Sequence, residues 1–451
     1  AVTGVQTCAL PICESSPHKN PSGPVPVAGS DTPVLQVRNE MGNPSKNLSF
    51  RVGLSVVAVL VALGAIQSFQ SRLVAQRVEA PRYEVDPFWP KPLPNHWLLG
   101  STIGVWVDTD DHVWIVHRPA TLANNEKSFE VGNGDCCAGA PPVLEFDQAG
   151  NLLRHWGGPG EGYEWHDSLH GIYIDYKGNV WLGGNGAADS HILKFTKDGK
   201  FVAQFGKKGI RRTGGPAPGS PPNAPDTYTG NSNDTENFGR PAKFTVDPLT
   251  NEAYVADGYL NKRVAVLDAD TGKVKRWWGA NGAKPDDAPL APYDPAAPPA
   301  LQFRNPVHCA ELSVDRLVYV CDRLGNRLQV FTTEGKFVKE AFYSKNTKGQ
   351  GAVWDIAFSK DRQQKYIFMA DGTNEKIHIV DRQSLQELTT FGDGGRQPGQ
   401  FYGVHSIAID SKGNLYTTET FEGKRVQRFV NKGLAPVTKA EQGTPWPSSS
   451  R

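Results

Sequence analysis

One unit recurs six times along this chain, and that repetition constrains the fold more than any other feature. The copies begin GVWVDTDDHVWIVHR (104–118), HGIYIDYKGNVWLGGN (170–185), AKFTVDPLTNEAYVADGY (242–259), HCAELSVDRLVYVCDR (308–323), WDIAFSKDRQQKYIFMADG (354–372) and HSIAIDSKGNLYTTET (405–420). Each is an alternating run ending in Asp or Ser, a polar turn, and a second alternating run with an aromatic. A third run follows, as in HILKF (191–195), and usually a fourth, as in KFVAQFG (200–206). Alternation at period two, punctuated by turn residues, predicts antiparallel meanders. Six four-stranded units predict an all-β fold, a six-bladed β-propeller. The 47 Gly and 34 Pro suit tight turns, and the 20 Phe, 13 Tyr and 11 Trp suit the packing between blades.

The unit resembles the NHL repeat, and the propeller is expected to occupy 83–433. That span is longer than six lean blades of about 40–45 residues, so it contains insertions: 119–141, 207–240 and 280–305, rich in Gly, Pro, Asn or Asp. They are expected to be loops, where function is commonly carried. The last copy has no evident fourth strand, while YEVDPFWP (83–90) precedes the first. That N-terminal segment is expected to close the ring by pairing with the last blade, hiding its edge. Residues 434–451 are expected to form a disordered tail.

The first part of the chain is different in kind. Residues 2–12 (VTGVQTCALPI) look like a translated sequencing adapter, and 14–40 have no apolar periodicity, so 1–40 is expected to be a non-native or disordered leader, with Met41 as the start. From 41 to 80 a short basic stretch (Lys46, Arg51) precedes an apolar run at 52–66. That run is short of the ~20 residues of a transmembrane helix and fits a signal peptide; the alternative is an uncleaved N-terminal anchor. Either exports the propeller to a periplasmic or extracellular, oxidising compartment.

Aligning the copies on the residue that ends the first strand (Asp108, Asp175, Asp247, Ser313, Ser359, Asp410) places Ile103, His170, Ala242, His308, Trp354 and His405 in one column, five residues earlier. Histidine therefore fills the same position in copies two, four and six. In a six-fold ring alternate blades are about 120° apart and the first strand lines the channel, so three imidazoles are expected to converge on the axis. That donor set suits a catalytic metal that keeps one coordination position open. The second strands return to the same mouth and end at Arg118, Asn185, Tyr259, Arg323, Gly372 and Thr420. Two Arg and a Tyr beside a cation describe a site for a small anion, with guanidinium forks for a carboxylate and a phenol to exchange a proton. The alternative for each Arg is pairing with Asp257, Asp322 or Asp371.

These residues resemble the lyase domain of peptidylglycine α-amidating enzymes, the peptidyl-α-hydroxyglycine α-amidating lyases, over most of 83–430. The resemblance implies zinc ligands at His170, His308 and His405, a catalytic Tyr at Tyr259 and active-site arginines at Arg118 and Arg323. It implies a zinc-dependent carbon–nitrogen lyase that cleaves an N-acyl α-hydroxyglycine into an amide and glyoxylate, acting on a small anionic or peptide-derived substrate. In that family an Asp after the last zinc histidine helps hold a structural calcium; Ser406 stands there here, which argues against Ca2+. The family's disulfide positions hold Gly239, Leu260 and Val330, so those bridges are absent. Cys136 and Cys137 are open to bonding each other, bonding elsewhere or remaining free, and Cys309 and Cys321, on neighbouring strands, to forming a cross-strand disulfide or staying as buried thiols.

With 48 Lys+Arg against 47 Asp+Glu, the chain has no charge excess to drive nucleic-acid binding by counterion release, and a membrane enters only through the N-terminal anchor. A carboxylate-rich lactonase-type metal site is disfavoured by the three His. The non-enzymatic alternative is an NHL propeller that serves as a binding platform, because fold alone does not set function.

Overall fold

The computed structural model describes residues 78–209 and 230–447. The expected leader at 1–40, nearly all of the signal or anchor region, residues 210–229 of the second insertion and the last four residues of the expected tail lie outside the described residues. Six four-stranded antiparallel sheets form a closed ring. Their innermost strands are Ser101–Val107, Leu169–Ile174, Pro241–Asp247, Val307–Leu312, Asp355–Phe358 and Val404–Ile409, and each lies against the next, the last returning to the first. The chain is therefore all-β, a six-bladed propeller. No helix among the described residues is long and apolar enough to cross a membrane.

The Asp or Ser that ends each innermost strand is a turn latch. Asp108 Oδ1 accepts the backbone N–H of Asp110 and His112, and its Oδ2 accepts the indole N–H of Trp114 at 2.9 Å. Asp175 repeats this with Lys177, Asn179 and Trp181, and Asp410 with Lys412, Asn414 and the hydroxyl of Tyr416. A short carboxylate can bond its own backbone two residues on and hold a tight turn without strain. The aromatic six residues later is tied to the same carboxylate, which is why the repeat is an acid, a polar turn and an aromatic. Trp114 and Trp181 are fully buried and pack between blades, as in the cluster of Trp181, Phe205, Phe244 and Val255.

Blade six is built from both ends of the chain. Glu79–Asp86 pairs antiparallel with Arg425–Pro436, from Glu79 opposite Pro436 to Asp86 opposite Arg428, and supplies the outermost strand. This closing strand begins four residues before the expected start of the propeller.

The tail corrects a second expectation. From 434 to 447 it is hydrogen-bonded rather than disordered: Val437 N–H donates to Val78, Gln442 N–H to Thr390, and the carbonyls of Ala440, Gly443 and Pro445 accept from Thr390, Gly392 and Val85. Unpaired strand-edge groups bury well only when they find partners, and the tail partners the outer edge of blade five. The insertion at 119–141 holds two short 3-10 turns, and its residues Ala138–Gly139 pair parallel with Trp97–Leu98. Cys136 is disulfide-bonded to Cys137, and Cys309 to Cys321, its cross-strand neighbour.

Candidate metal and anion site

The three histidines meet on the ring axis. Their ring centroids are 4.8–4.9 Å apart, and a donor nitrogen from each lies within 4.8 Å of the others. Each ring is held by the neighbouring blade. Nδ1 of His170 donates to the carbonyl of Ala242 at 2.8 Å, that of His308 to Trp354 at 2.5 Å and that of His405 to Ile103 at 2.6 Å. The acceptors are the other three members of the aligned column, so the odd blades supply carbonyls where the even blades supply imidazoles. A carbonyl only accepts, so Nδ1 carries the proton and Nε2 offers its lone pair to the axis, the usual outer-shell support of a metal-ligating His. All three pKa values lie well below the usual range, first because the rings are buried and then because added positive charge is opposed, by Arg118 and Arg323 at His170 and by neighbouring histidines and Arg323 at His308 and His405. Neutral, pre-oriented imidazoles are the form a metal ion needs.

Tyr259 sits over this ring. Its hydroxyl lies 2.8 Å from His170 Nε2 and 3.1 Å from His308 Nε2. The loop that carries it is clamped: Leu260 N–H donates to Gly239, and the Asn305 side chain donates to Gly258 and Asn261. The insertions on this side brace each other through Ser232 N–H on Asp287, and Lys262, on the same loop as Tyr259, donates from Nζ to the Ala288 carbonyl.

Arg323 opens a short 3-10 turn after its strand. Its Nη1 donates to Tyr259 Oη at 3.3 Å and its Nη2 to Gln350 Oε1 at 2.7 Å, while the guanidinium lies 4.4 Å over the indole of Trp354. Arg118 donates from Nε to the Leu169 carbonyl and from Nη2 to Asn185 Oδ1 at 2.8 Å. Burial pulls both guanidinium pKa values down.

The acids expected as alternative partners are taken by other cations. Asp257 pairs with Arg263, Asp322 with Arg327 and Asp371 with His378, and on blade six Glu419 pairs with Arg425. Among the described residues neither Arg118 nor Arg323 has a carboxylate partner, and the buried Nε of Arg323 has no hydrogen-bond partner at all. Two partly or wholly buried cations beside the histidine ring leave an uncompensated positive field, the setting for a small anion.

One layer deeper the channel carries its own cation. The Lys243 ammonium is 2.7 Å from Asp355 and 2.9 Å from Glu311, and Ser406 Oγ donates to Asp355 at 2.6 Å. Burial alone would lower the Lys243 pKa, but the two carboxylates outweigh it and raise it. Ser406 therefore belongs to a lysine-centred cluster. Between it and the histidines lies a space of about 10 Å³, while a cavity of about 340 Å³ opens on the far side, lined by Trp106, Tyr173, Glu311 and Phe358. A second acid–histidine group, Asp108, His112 and Glu145, is already neutralised by Lys197 and Arg154.

All six residues singled out from the sequence thus come together at one mouth. Sequence reasoning placed Asn185 at the mouth without its bond to Arg118, and missed Gln350, which holds Arg323, the stacking of Trp354 under Arg323, and the carbonyls of Ile103, Ala242 and Trp354. Only the last had a readable signal, their membership of the histidine column.

No protein-family model matches the chain. It is 26% identical over 379 residues to mouse NHL repeat-containing protein 3, covering 79% of this chain and 86% of that protein. The chain is similar to NHL-repeat proteins. It is also 27% identical over 258 residues to mouse peptidyl-glycine alpha-amidating monooxygenase, which covers 55% of this chain and 22% of that much longer protein. Among solved structures, a streptogramin B lyase covers 79% of this chain and 98% of its own at 14% identity, with a TM-score of 0.44.

Proposed function

We propose that this propeller is a zinc-dependent lyase that cleaves an N-acyl α-hydroxyglycine into a primary amide and glyoxylate. The observation that carries the reading is the pair of guanidiniums without acid partners, placed with Tyr259 around three neutral, axis-facing histidines. The likeness of the site motifs to the amidating lyases supports the same reaction class.

His170, His308 and His405 would hold the ion, three nitrogens with room for a further ligand. Zinc bound there supplies Lewis acidity, stabilising negative charge as it develops on the substrate's hydroxyl oxygen. Arg118 and Arg323 hold the substrate carboxylate and fix the α-carbon against the ring. Tyr259 Oη takes the hydroxyl proton; the oxygen's electron pair becomes the new carbonyl bond, the C–N bond breaks, and its electrons go to the amide nitrogen. The proton returns from Tyr259 to that nitrogen, so glyoxylate and a neutral amide leave with no other reactant consumed. Arg323, 3.3 Å from Tyr259 Oη, steadies the phenolate that takes the proton and that is regenerated when the proton is handed to nitrogen.

The test is glyoxylate release from an N-acyl α-hydroxyglycine by purified protein supplied with zinc, against a His308→Ala control. Release no greater than that of the control overturns the reading. The match to NHL repeat-containing protein 3 over most of both chains favours a second reading, a non-catalytic binding platform. Metal analysis separates the two: about one zinc per chain, lost in His170→Ala and in His405→Ala, supports the enzyme, and a metal-free protein supports the platform. Export through the N-terminal segment to a periplasmic or extracellular compartment is part of the proposal, and the two disulfides fit it.

A further inference from the structure

The mouth is unevenly furnished. Blades one, three and four present Arg118, Tyr259 and Arg323, and blade two presents Asn185, bonded to Arg118. Blades five and six end their second strands in Gly372 and Thr420. A Cβ on Gly372 would stand 2.3 Å from the Val404 carbonyl and 2.9 Å from the Trp354 ring, so only glycine lets that indole lie between His405 and Arg323. Thr420 shares a hydrogen bond with Ser101 and turns away towards blade one. The second strands of blades five and six therefore end without a charged side chain, and the neighbouring Glu375 carboxylate is turned onto the backbone N–H groups of Gly403 and Val404.

Phe421 borders this sector. Its ring stands edge-on to Trp354 with centroids 6.5 Å apart, and Trp354 is in turn 5.4 Å from His405. The residue is 52% exposed and is held at φ 51°, a left-handed conformation that a bulky side chain adopts only under strain. The bare backbone of Gly403 makes the placement possible, since a Cβ there would be 3.0 Å from the Phe421 ring. A strained backbone thus holds an aromatic ring half in water, two rings from the metal-binding histidines.

We propose that the sector between blades five and six is the acyl subsite, and that Phe421 selects substrates with an apolar, preferably aromatic, N-acyl group. This rests on the lyase reading, in which Arg118 and Arg323 take the carboxylate and Tyr259 covers blade three, leaving this sector for the acyl chain to leave by. The ring adds an aromatic contact and excludes water without touching the reacting atoms.

The test uses two stable ligands without the α-hydroxyl, N-benzoylglycine and N-acetylglycine, titrated calorimetrically into protein supplied with zinc. The wild type is expected to bind the benzoyl compound about tenfold more tightly, on the scale of one aromatic contact. In Phe421→Ala the ratio falls towards one, while acetylglycine affinity and zinc content stay. Phe421→Asn, a residue type that tolerates positive φ, is expected to lose the ratio as well, yet to melt above the wild type. Equal affinities in the wild type, a ratio that survives in Phe421→Ala, or binding of neither ligand overturns the proposal. Glyoxylate release is measured separately. A Phe421-dependent preference without release would sink the lyase reading alone, and release without such a preference would sink the acyl subsite alone.

Discussion

The hydroxyl of Tyr259 lies 2.8 Å from Nε2 of His170, so the phenol and the axis-facing nitrogen meet at the propeller axis. In the proposed lyase, a residue so placed would move a proton beside the ion held by the three histidines without being one of its ligands. Replacing Tyr259 with Phe is expected to leave zinc content unchanged and lower kcat by about 10²–10⁴, the range of a lost general acid–base group, with KM little altered. Steady-state glyoxylate kinetics and metal analysis on the same preparation check both halves.

The arginines act on binding. Lysine at position 323 keeps the charge but loses the planar fork and the stacking on Trp354. Arg323→Lys is expected to raise KM about 10–100-fold, the worth of a charge-assisted hydrogen bond, and to lower kcat less. Against a substrate whose carboxylate is masked as an amide, the wild type and the variant should show equally high KM values; a KM that still differs on the masked substrate argues against the carboxylate fork.

Removing the channel's internal cation leaves Asp355 and Glu311 buried together. Lys243→Met is expected to lose about 3–5 kcal/mol of stability, as when one partner of a buried ion pair is deleted. Burial already raises the Glu311 pKa with the lysine present, and without the lysine the folded state binds protons more tightly than the unfolded one. The deficit should therefore shrink as pH falls. Urea unfolding at pH 5 and pH 8 reads this out, and a deficit equal at both would count against it.

His378 predicts the opposite arm of the pH profile. Burial pulls its pKa down, but Asp371 and Glu387 overcome this and push it up to about 8. A folded pKa above the unfolded value of about 6.5 means stability that is complete below 6.5 and lost as pH rises through 8, amounting to about 2 kcal/mol. His378→Gln should thus melt well below the wild type at pH 6 and close to it at pH 9.5. A gap that persists at the higher pH would show that His378 acts through packing rather than charge.

The ring and its histidine column were legible because each depends on local regularity: Asp108, Asp175 and Asp410 each latch a turn two to four residues away, and alignment on them exposes His170, His308 and His405. The closing strand was legible as a gap, since the sixth copy had three strands. Contacts that join distant blades left no such trace. Lys243 meets Asp355 across 112 residues, and Gln350 reaches Arg323 from a loop with no repeat counterpart. The pairing of Asp257, Asp322, Asp371 and Glu419 with cations five to seven residues on was present in the pattern, but only side-chain geometry shows that it leaves Arg118 and Arg323 over. The strap at 434–447 was hidden by its composition, because its hydrogen bonds are made by backbone groups.

The outermost strand of blade six has a consequence in time. Glu79–Asp86 is synthesised before any blade, yet its partner, Arg425–Pro436, emerges near the end of the chain. During elongation a ribosome making about 5–20 residues per second would release the first five blades in order. The early strand would wait for tens of seconds with its edge bare. A propeller closed in this way cannot finish folding until its last blade is released, and a chain interrupted before Arg425 would be left as an open arc, with one sticky strand at its beginning and an unfinished sheet at its end.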